Sequence, residues 1–289
     1  MYGLKRGTVA LQTHQAGWER EAALTISRLA DIFGPTASDI QHVGSTAIPA
    51  IPAKPILDIA VAAPNLAAAE TCRPALEKAG YRQSSSTVGD ELLFVTGDFA
   101  ADTRTQHIHV VKAGSRRFAD YVNFRDYLNN KPDQAIAYAA LKRRLAREHP
   151  HNRVAYTAGK ATFITTVLRR AYAWSFLGRT VHVTVDRPLG SAHPQYPDTV
   201  YPINYGYLPD TLAGDGEALD VYILGVDRPV DAFAGRVIAV VYREDDTEDK
   251  LVVAPKGRYF PRTQIANAIA FMERYYHTSL ELFTQEEQP

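Results

Sequence analysis

The chain has 289 residues, 46% of them apolar and 22% charged, and its 32 Lys and Arg balance its 32 Asp and Glu. An ordinary globular protein with ample core follows, divided by its length into two domains; the zero net charge excludes a dedicated nucleic-acid binder, which carries a basic excess. The single cysteine, Cys72, excludes a disulfide framework or thiolate zinc cluster. No apolar run reaches the ~18 residues of a membrane span, and MYGLKRGTVAL lacks the marks of a signal peptide, so a cytoplasmic protein is expected.

Residues 15–33 read as a helix, with Trp18, Ala22, Leu24, Ile26, Leu29 and Ile32 mostly on one face. A short strand at 39–43 enters a Gly-Ser turn, and the β-rich run 56–62 suits a buried strand. Residues 65–79 form a helix stopped by Gly80. Strands at 91–96 and 105–111 pair, the second alternating so that His107 and His109 share a face. Helices follow near 116–129, 132–147 and 152–172, Pro132 standing at a helix start. Helical periodicity then ends at 174–179, and Gly- and Pro-punctuated β runs take over at 180–185, 219–224, 236–242 and 250–254, before a last helix at 264–276. The domain boundary falls near Gly178, giving domains 1–174 and 178–289.

In HVGSTAIPAIPAKPILDIAV (42–61), Gly44 and Ser45 offer a turn that a polyphosphate can approach closely. Asp58 is placed to hold a divalent cation against it, and Lys54 adds a point charge. The plain alternative is a β-turn-β element with Asp58 as a strand-end cap. This string, together with TQHIHVVKAGS (105–115), NFRDYLNNKP (123–132) and AYAALKRRLA (137–146), resembles the GrpB family over about residues 1–170. The resemblance implies a nucleotidyltransferase-like α/β core. In active members of that superfamily the strand carboxylate is one of a pair two residues apart that holds two metals; here the second position is Ala60. The strand that usually adds a third carboxylate carries His107 and His109 instead. These two, with His42, are candidate metal or phosphate ligands, the alternative being satisfied strand histidines. Arg125 reads either as a phosphate clamp or as an ion-pair partner of Asp126 or Asp120.

In the second half, Asp215, Glu217 and Asp220 crowd three carboxylates into six residues. Such crowding is costly without a cation, and oxygen-only donors suit Mg²⁺ or Mn²⁺; a solvated acidic turn is the alternative. The surrounding YPINYGYLPDTLAGDGEALDVYILG (201–225) resembles the soluble inorganic pyrophosphatases over about residues 180–282. That resemblance implies a five-stranded OB-like barrel, with metal carboxylates at Asp215, Glu217 and Asp220 and a tyrosine facing the nucleophile at Tyr205. Asp186 replaces a family Glu. In EDDTEDKLVVAP (244–255), Glu248 and Lys250 align by spacing, and the earlier acid is one of Glu244, Asp245 and Asp246, with Asp245 carried as the metal candidate. Tyr275 matches a phosphate-contacting tyrosine, and Tyr276 stands where the family has lysine. The stretch between Ser191 and Tyr201 lacks the family's hairpin and its cations, for which Lys256, Arg258 and Arg262, or His193, are local substitutes.

The combined expectation is a two-domain α/β (α+β) protein, a nucleotidyltransferase-like mixed sheet with helices followed by a small OB-like barrel with a C-terminal helix. It is expected to act as a Mg²⁺-dependent (or Mn²⁺-dependent) phosphoanhydride hydrolase fused to a nucleotide-binding domain. Its partner is a small phosphorylated substrate such as pyrophosphate or a nucleotide; no nucleic acid or membrane is expected, and association with copies of itself stays open. The alternative is a non-catalytic phosphometabolite-binding protein, favoured by Ala60 and the missing hairpin cations.

Overall fold

The computed structural model describes residues 3–85 and 89–284. The chain divides into two units, Met1–Leu168 and Arg169–Pro289. The first contains β1 (Leu4–Lys5), α1 (Ala16–Phe33), β2 (Asp39–Val43), β3 (Leu57–Ala63), α2 (Leu66–Glu70), α3 (Arg73–Lys78), β4 (Arg82–Gln83), β5 (Glu91–Thr96), β6 (Thr103–Arg104) and β7 (Gln106–Lys112). Helices α4 (Arg116–Asn130), α5 (Pro132–Glu148) and α6 (Arg153–Ala158) follow, and α7 (Ala161–Trp174) runs past the division.

The main sheet of this unit has the order β2-β3-β7-β5-β4. Strands β3 and β7 are parallel; every other pair is antiparallel. Alternation along β3 sorts its two faces. Leu57, Ile59, Val61 and Ala63 pack with Trp18, Ala22, Leu29 and Phe33 of α1 in the main core. Asp58 and Ala60 point to the opposite face, where α4 lies against β2, β3 and β7. Leu24 does not join the apolar stripe expected of α1 and is 63% exposed.

Two helices expected to be continuous are broken. Pro74 near the start of α3 has no N–H to donate back to Glu70, so the span 65–79 splits at Thr71–Cys72. The span 152–172 splits at Gly159–Lys160, between α6 and α7. The leading pieces α2 and α6 are short, and Asn65 and Asn152 cap them through Ala68 N (2.8 Å) and Ala155 N (3.0 Å).

The second unit contains β8 (Thr180–Arg187), β9 (Asn204–Tyr207), β10 (Asp220–Ile223), β11 (Ala232–Arg243), β12 (Lys250–Ala254), α8 (Arg262–Glu273) and β13 (Thr278–Leu282). Strands β12-β10-β9-β8-β11 are hydrogen-bonded in that order, and β11 pairs back onto β12, closing a five-stranded barrel; β13 pairs with the C-terminal half of β11, past the end of its pairing with β8. The expected barrel with a late helix is present. Two of the unit's strands, β9 and β13, are not among the strands expected from the sequence. Gly206 sits in β9 opposite Val185, where a Cβ would collide with the Thr184 carbonyl, so the close approach of β9 to β8 requires glycine. Val221, Ile223, Leu251 and Val253 share one apolar cluster, while Tyr222, Val252 and Tyr205 belong to another, with Ile265 and Ile269 of α8.

Candidate functional site

The polar face of the first sheet opens into a cavity of about 510 Å³, lined by Gly44, Ser45, Lys54, Asp58, His107 and His109 among others. Strand register puts its acid and imidazoles together. Asp58 is opposite His107 and Ala60 opposite His109 across the parallel pair β3–β7. Oδ1 of Asp58 is 3.2 Å from Nδ1 of His107 and 3.4 Å from Nε2 of His109. The other nitrogen of His109, Nδ1, is 2.7 Å from Oε1 of the buried Glu91. Glu91 accepts in turn from Tyr121 OH (2.8 Å) and Arg117 Nε (3.0 Å). One ligand atom from each of Asp58, His107 and His109 lies within 4.8 Å of the others.

Burial works to raise the Asp58 carboxyl, but the hydrogen bonds from His107 and His109 outweigh it and hold the group far below the usual carboxylate range. Burial likewise opposes a charge on His109, yet its hydrogen bonds to Asp58 and Glu91 raise it to about 9. Gly44, at φ +68°, lies close against Asp58: a Cβ there would be 2.9 Å from the Asp58 Cβ.

The opposite wall is cationic, from α5–α7 and the segment before β3. Lys142 is 2% exposed, and its Nζ has no hydrogen-bond partner; the ring of Tyr138 is 5.1 Å away. Burial first, then Lys160 and Lys54, push this amine well below its ordinary value. Lys54 is lowered to about 8 by burial, then by Lys160 and Arg153. Lys54 and Lys160 flank the ring of Tyr156 at 4.9 and 4.7 Å. Neither Lys142, Lys160 nor Glu91 was singled out from the sequence. One signal was there: Lys142 follows Ala135, Tyr138 and Ala139 at helical spacing on the buried face of α5.

Two candidates do not line the cavity. Position 42 pairs with Ile59, on the α1 side of the sheet; His42 bonds Thr46 Oγ1 at 2.9 Å, and burial lowers it to about 4. Arg125 braces β2 instead, donating to Gln41 Oε1 (2.9 Å) and to the His42 carbonyl (2.8 Å), and it pairs with Asp126 at 2.7 Å.

In the second unit, Asp220 opens β10 opposite Tyr207, two register positions from Tyr205. Its Oδ2 accepts from Tyr205 OH and, at 2.5 Å, from Lys250 Nζ. Lys250 also donates to Tyr205 OH (2.7 Å) and lies 3.0 Å from Glu248 Oε2. Burial acts to raise Asp220, but Lys250 chiefly, then Glu248 and Tyr205, hold it below the usual range. The displaced proton affinity goes to Glu248, which burial and then Asp220 push up to about 7. Asp186 is raised by burial, with Asp220 adding to the effect and Arg187 opposing it. Two carboxylates, Asp220 and Glu248, thus meet around one lysine.

The remaining acids sit elsewhere. Asp215 and Glu217 occupy an exposed turn in which Asp215 Oδ1 accepts from the Glu217 N–H at 3.0 Å. Among the described residues, the acids of this unit form no three-member group of the kind Asp58, His107 and His109 make. Asp245 accepts from His277 N at 3.0 Å, at the entry to β13. Tyr275 is exposed beyond α8 and accepts from Arg274 at 2.7 Å, whereas Tyr276 covers the Arg243 guanidinium at 3.6 Å. His193 Nδ1 accepts from Gln195 N at 3.1 Å, within its own turn. Sequence reasoning also missed Arg243, a buried cation that binds Glu273 (2.8 Å), Asp246 (3.0 Å) and Glu248 (3.1 Å).

The mixed sheet, with α1 on one face and α4 on the other and Asp58 on its second strand, has the nucleotidyltransferase-like α/β fold, and the closed barrel with its late helix the pyrophosphatase-like one. The chain belongs to the GrpB family: residues 8–170 match the family described as GrpB protein, and residues 179–286 match Inorganic pyrophosphatase. It is 36% identical over 171 residues to the glutamate-rich protein GrpB of Alkalihalophilus pseudofirmus, a match spanning 58% of this chain and 98% of that protein. The first unit's fold is shared with the crystal structure of GrpB from Enterococcus faecalis, at TM-score 0.53 and 24% identity over 57% of this chain and 99% of that one. The second unit is similar to an inorganic pyrophosphatase of Saccharolobus solfataricus, 37% identical over 83 residues, which is 27% of this chain and 45% of that enzyme. Among the described residues no helix is long and apolar enough to cross a membrane.

Proposed function

We propose that this chain is a divalent-metal-dependent phosphoanhydride hydrolase whose first unit binds a phosphorylated nucleotide or a similar polyphosphate. The observation that carries the reading is the convergence of Tyr205 and Lys250 on Asp220, with Glu248 hydrogen-bonded to Asp220 and paired with the same lysine. Carboxylates drawn this close, with Glu248 pushed toward neutrality, are the surroundings a hard cation relieves, and their oxygen-only donors suit Mg²⁺ or Mn²⁺. Asp220, Glu248 and Asp186 would hold it, with Asp215 and Glu217 on the adjoining turn. Such an ion supplies Lewis acidity and a more acidic bound water. Tyr205 fixes the orientation of the Asp220 carboxylate. Lys250 offsets negative charge on the departing phosphate.

The short 191–201 connection leaves fewer cations around the substrate, which supports slow turnover and a substrate larger than pyrophosphate. In the first unit, the lysine wall facing Asp58 supports phosphate binding, and Ala60 speaks against two-metal transfer there. A second, non-catalytic reading is favoured by one observation: Lys250 and Tyr205 both occupy the same oxygen of Asp220. Phosphate release from pyrophosphate and from nucleoside polyphosphates, with Mg²⁺ and Mn²⁺, separates the readings. Hydrolysis abolished by Asp220→Asn supports the first, and no hydrolysis of any substrate leaves the second.

A further inference from the structure

Taking the first unit's cavity as a phosphate site, as proposed above, we infer that Asp58, His107 and His109 hold a single transition-metal ion of the zinc class. A terminal phosphate of an organic phosphate bridges that ion and the amine of Lys142. The donor set decides the class of metal. Two imidazoles and one carboxylate favour borderline transition metals, whereas Mg²⁺ prefers oxygen donors. The three donors come from two strands locked in register, so the backbone ladder rather than a loop sets their spacing.

The surroundings are those of a built centre. Glu91, 2.7 Å from His109 Nδ1, fixes that ring and leaves Nε2 turned toward Asp58. A carboxylate behind a ligating histidine, itself held by Arg117 and Tyr121, is the usual support of a metal-bound imidazole. Ala60 lies opposite His109, so the neighbouring position on β3 adds no donor and the site holds one ion rather than two. Three protein donors leave at least one coordination position open toward the cavity.

What fills that position must be an anion. The Lys142 amine lines the same cavity, 2% exposed and without a hydrogen-bond partner, with Lys54, Lys160 and Arg153 beside it. An unpaired buried amine is costly, and a phosphate oxygen satisfies it. Asp120, the other acid in the lining, is taken up by Arg116 at 2.7 Å. Phe124, Ile164 and Leu168 line the remainder, which suits the uncharged body of a nucleotide better than free pyrophosphate.

The test is calorimetric titration of the full chain with Zn²⁺ and with Mg²⁺, joined to the visible absorption of the Co²⁺ form with and without AMP. One equivalent of Zn²⁺ is expected to bind far more tightly than Mg²⁺, to survive Asp220→Asn, and to disappear in His107→Ala. Glu91→Gln should weaken it roughly 10–100-fold. AMP should shift the Co²⁺ bands of the wild type. In Lys142→Met the bands should remain while AMP no longer moves them. In the Asp220→Asn protein, Mg²⁺ binding as tightly as Zn²⁺, or Zn²⁺ stoichiometry unchanged on adding His107→Ala in a protein that still folds, overturns the metal assignment. If AMP affinity persists in that case, the phosphate-site reading stands without the metal. If neither AMP nor inorganic phosphate binds in any form, that reading falls too.

Discussion

Gly44 and Asp58 sit so close that a Cβ on the glycine would lie 2.9 Å from the Asp58 Cβ and collide with its carboxylate. The turn conformation, at φ +68°, disfavours any other residue as well. Gly44→Ala is therefore expected to lower stability by ~1–3 kcal/mol and to weaken phosphate binding by displacing Asp58. Urea unfolding of Gly44→Ala, Asp58→Ala and the double variant checks this. The double variant should be less destabilised than the sum of the single ones, because the collision partner is gone.

Lys142 gives the opposite sign. Replacing its buried amine with the similar-sized apolar side chain of methionine removes an unsatisfied group that costs ~1–3 kcal/mol. Lys142→Met should raise the denaturation midpoint of the ligand-free protein while weakening inorganic phosphate binding at least ~10-fold, the value of one charged hydrogen bond. A variant destabilised without phosphate present would show that the amine has a structural partner.

Phosphate affinity should also depend on pH through Lys54. Its amine is lowered to about 8 by burial, then by Lys160 and Arg153, with Asp58 pulling the other way. Below that value the amine is charged and attracts phosphate; above it the charge is lost, so affinity should fall as pH rises through about 8. A phosphate monoester such as AMP, the ligand for this titration, has its second pKa at ~6, so its charge is nearly constant over that range. Lys54→Arg, which stays charged, should flatten the profile measured by calorimetry between pH 7 and 9.

Arg243 anchors the second unit. It is 1% exposed and satisfies Glu273 at 2.8 Å while meeting Asp246 and Glu248. Arg243→Met strands buried acids and should cost about 3–5 kcal/mol. Adding Glu273→Gln should recover part of the loss. Denaturant midpoints of the single and double variants measure both effects.

Much of this was legible beforehand because it is local. Strand β3 follows from the β-rich run at 56–62, and the in-line placement of His107 and His109 follows from the two-residue period of a strand. Where the reading missed, tertiary context decided. Strands β9 and β13 are short, four and five residues, and each exists through pairing with distant segments. Thr71–Cys72 looked helical until Pro74 is counted for the hydrogen bond it cannot make. The metal-like spacing of Asp215, Glu217 and Asp220 did not reveal that the first two face solvent on a turn while the third is tied to Lys250. Lys142 was not singled out, and the burial of its helix face is what makes it part of a cavity wall.

The central claim is that Asp220 drives phosphoanhydride hydrolysis, and one comparison tests it most directly. Initial rates of phosphate release from a nucleoside triphosphate with Mg²⁺ are measured for wild type, Asp220→Asn and Asp58→Asn at matched protein concentration. The account predicts a slow wild-type rate that falls on the order of 100-fold or more in Asp220→Asn and is changed little at saturating substrate in Asp58→Asn. A rate unaffected by Asp220→Asn, or abolished by Asp58→Asn alone, would contradict it.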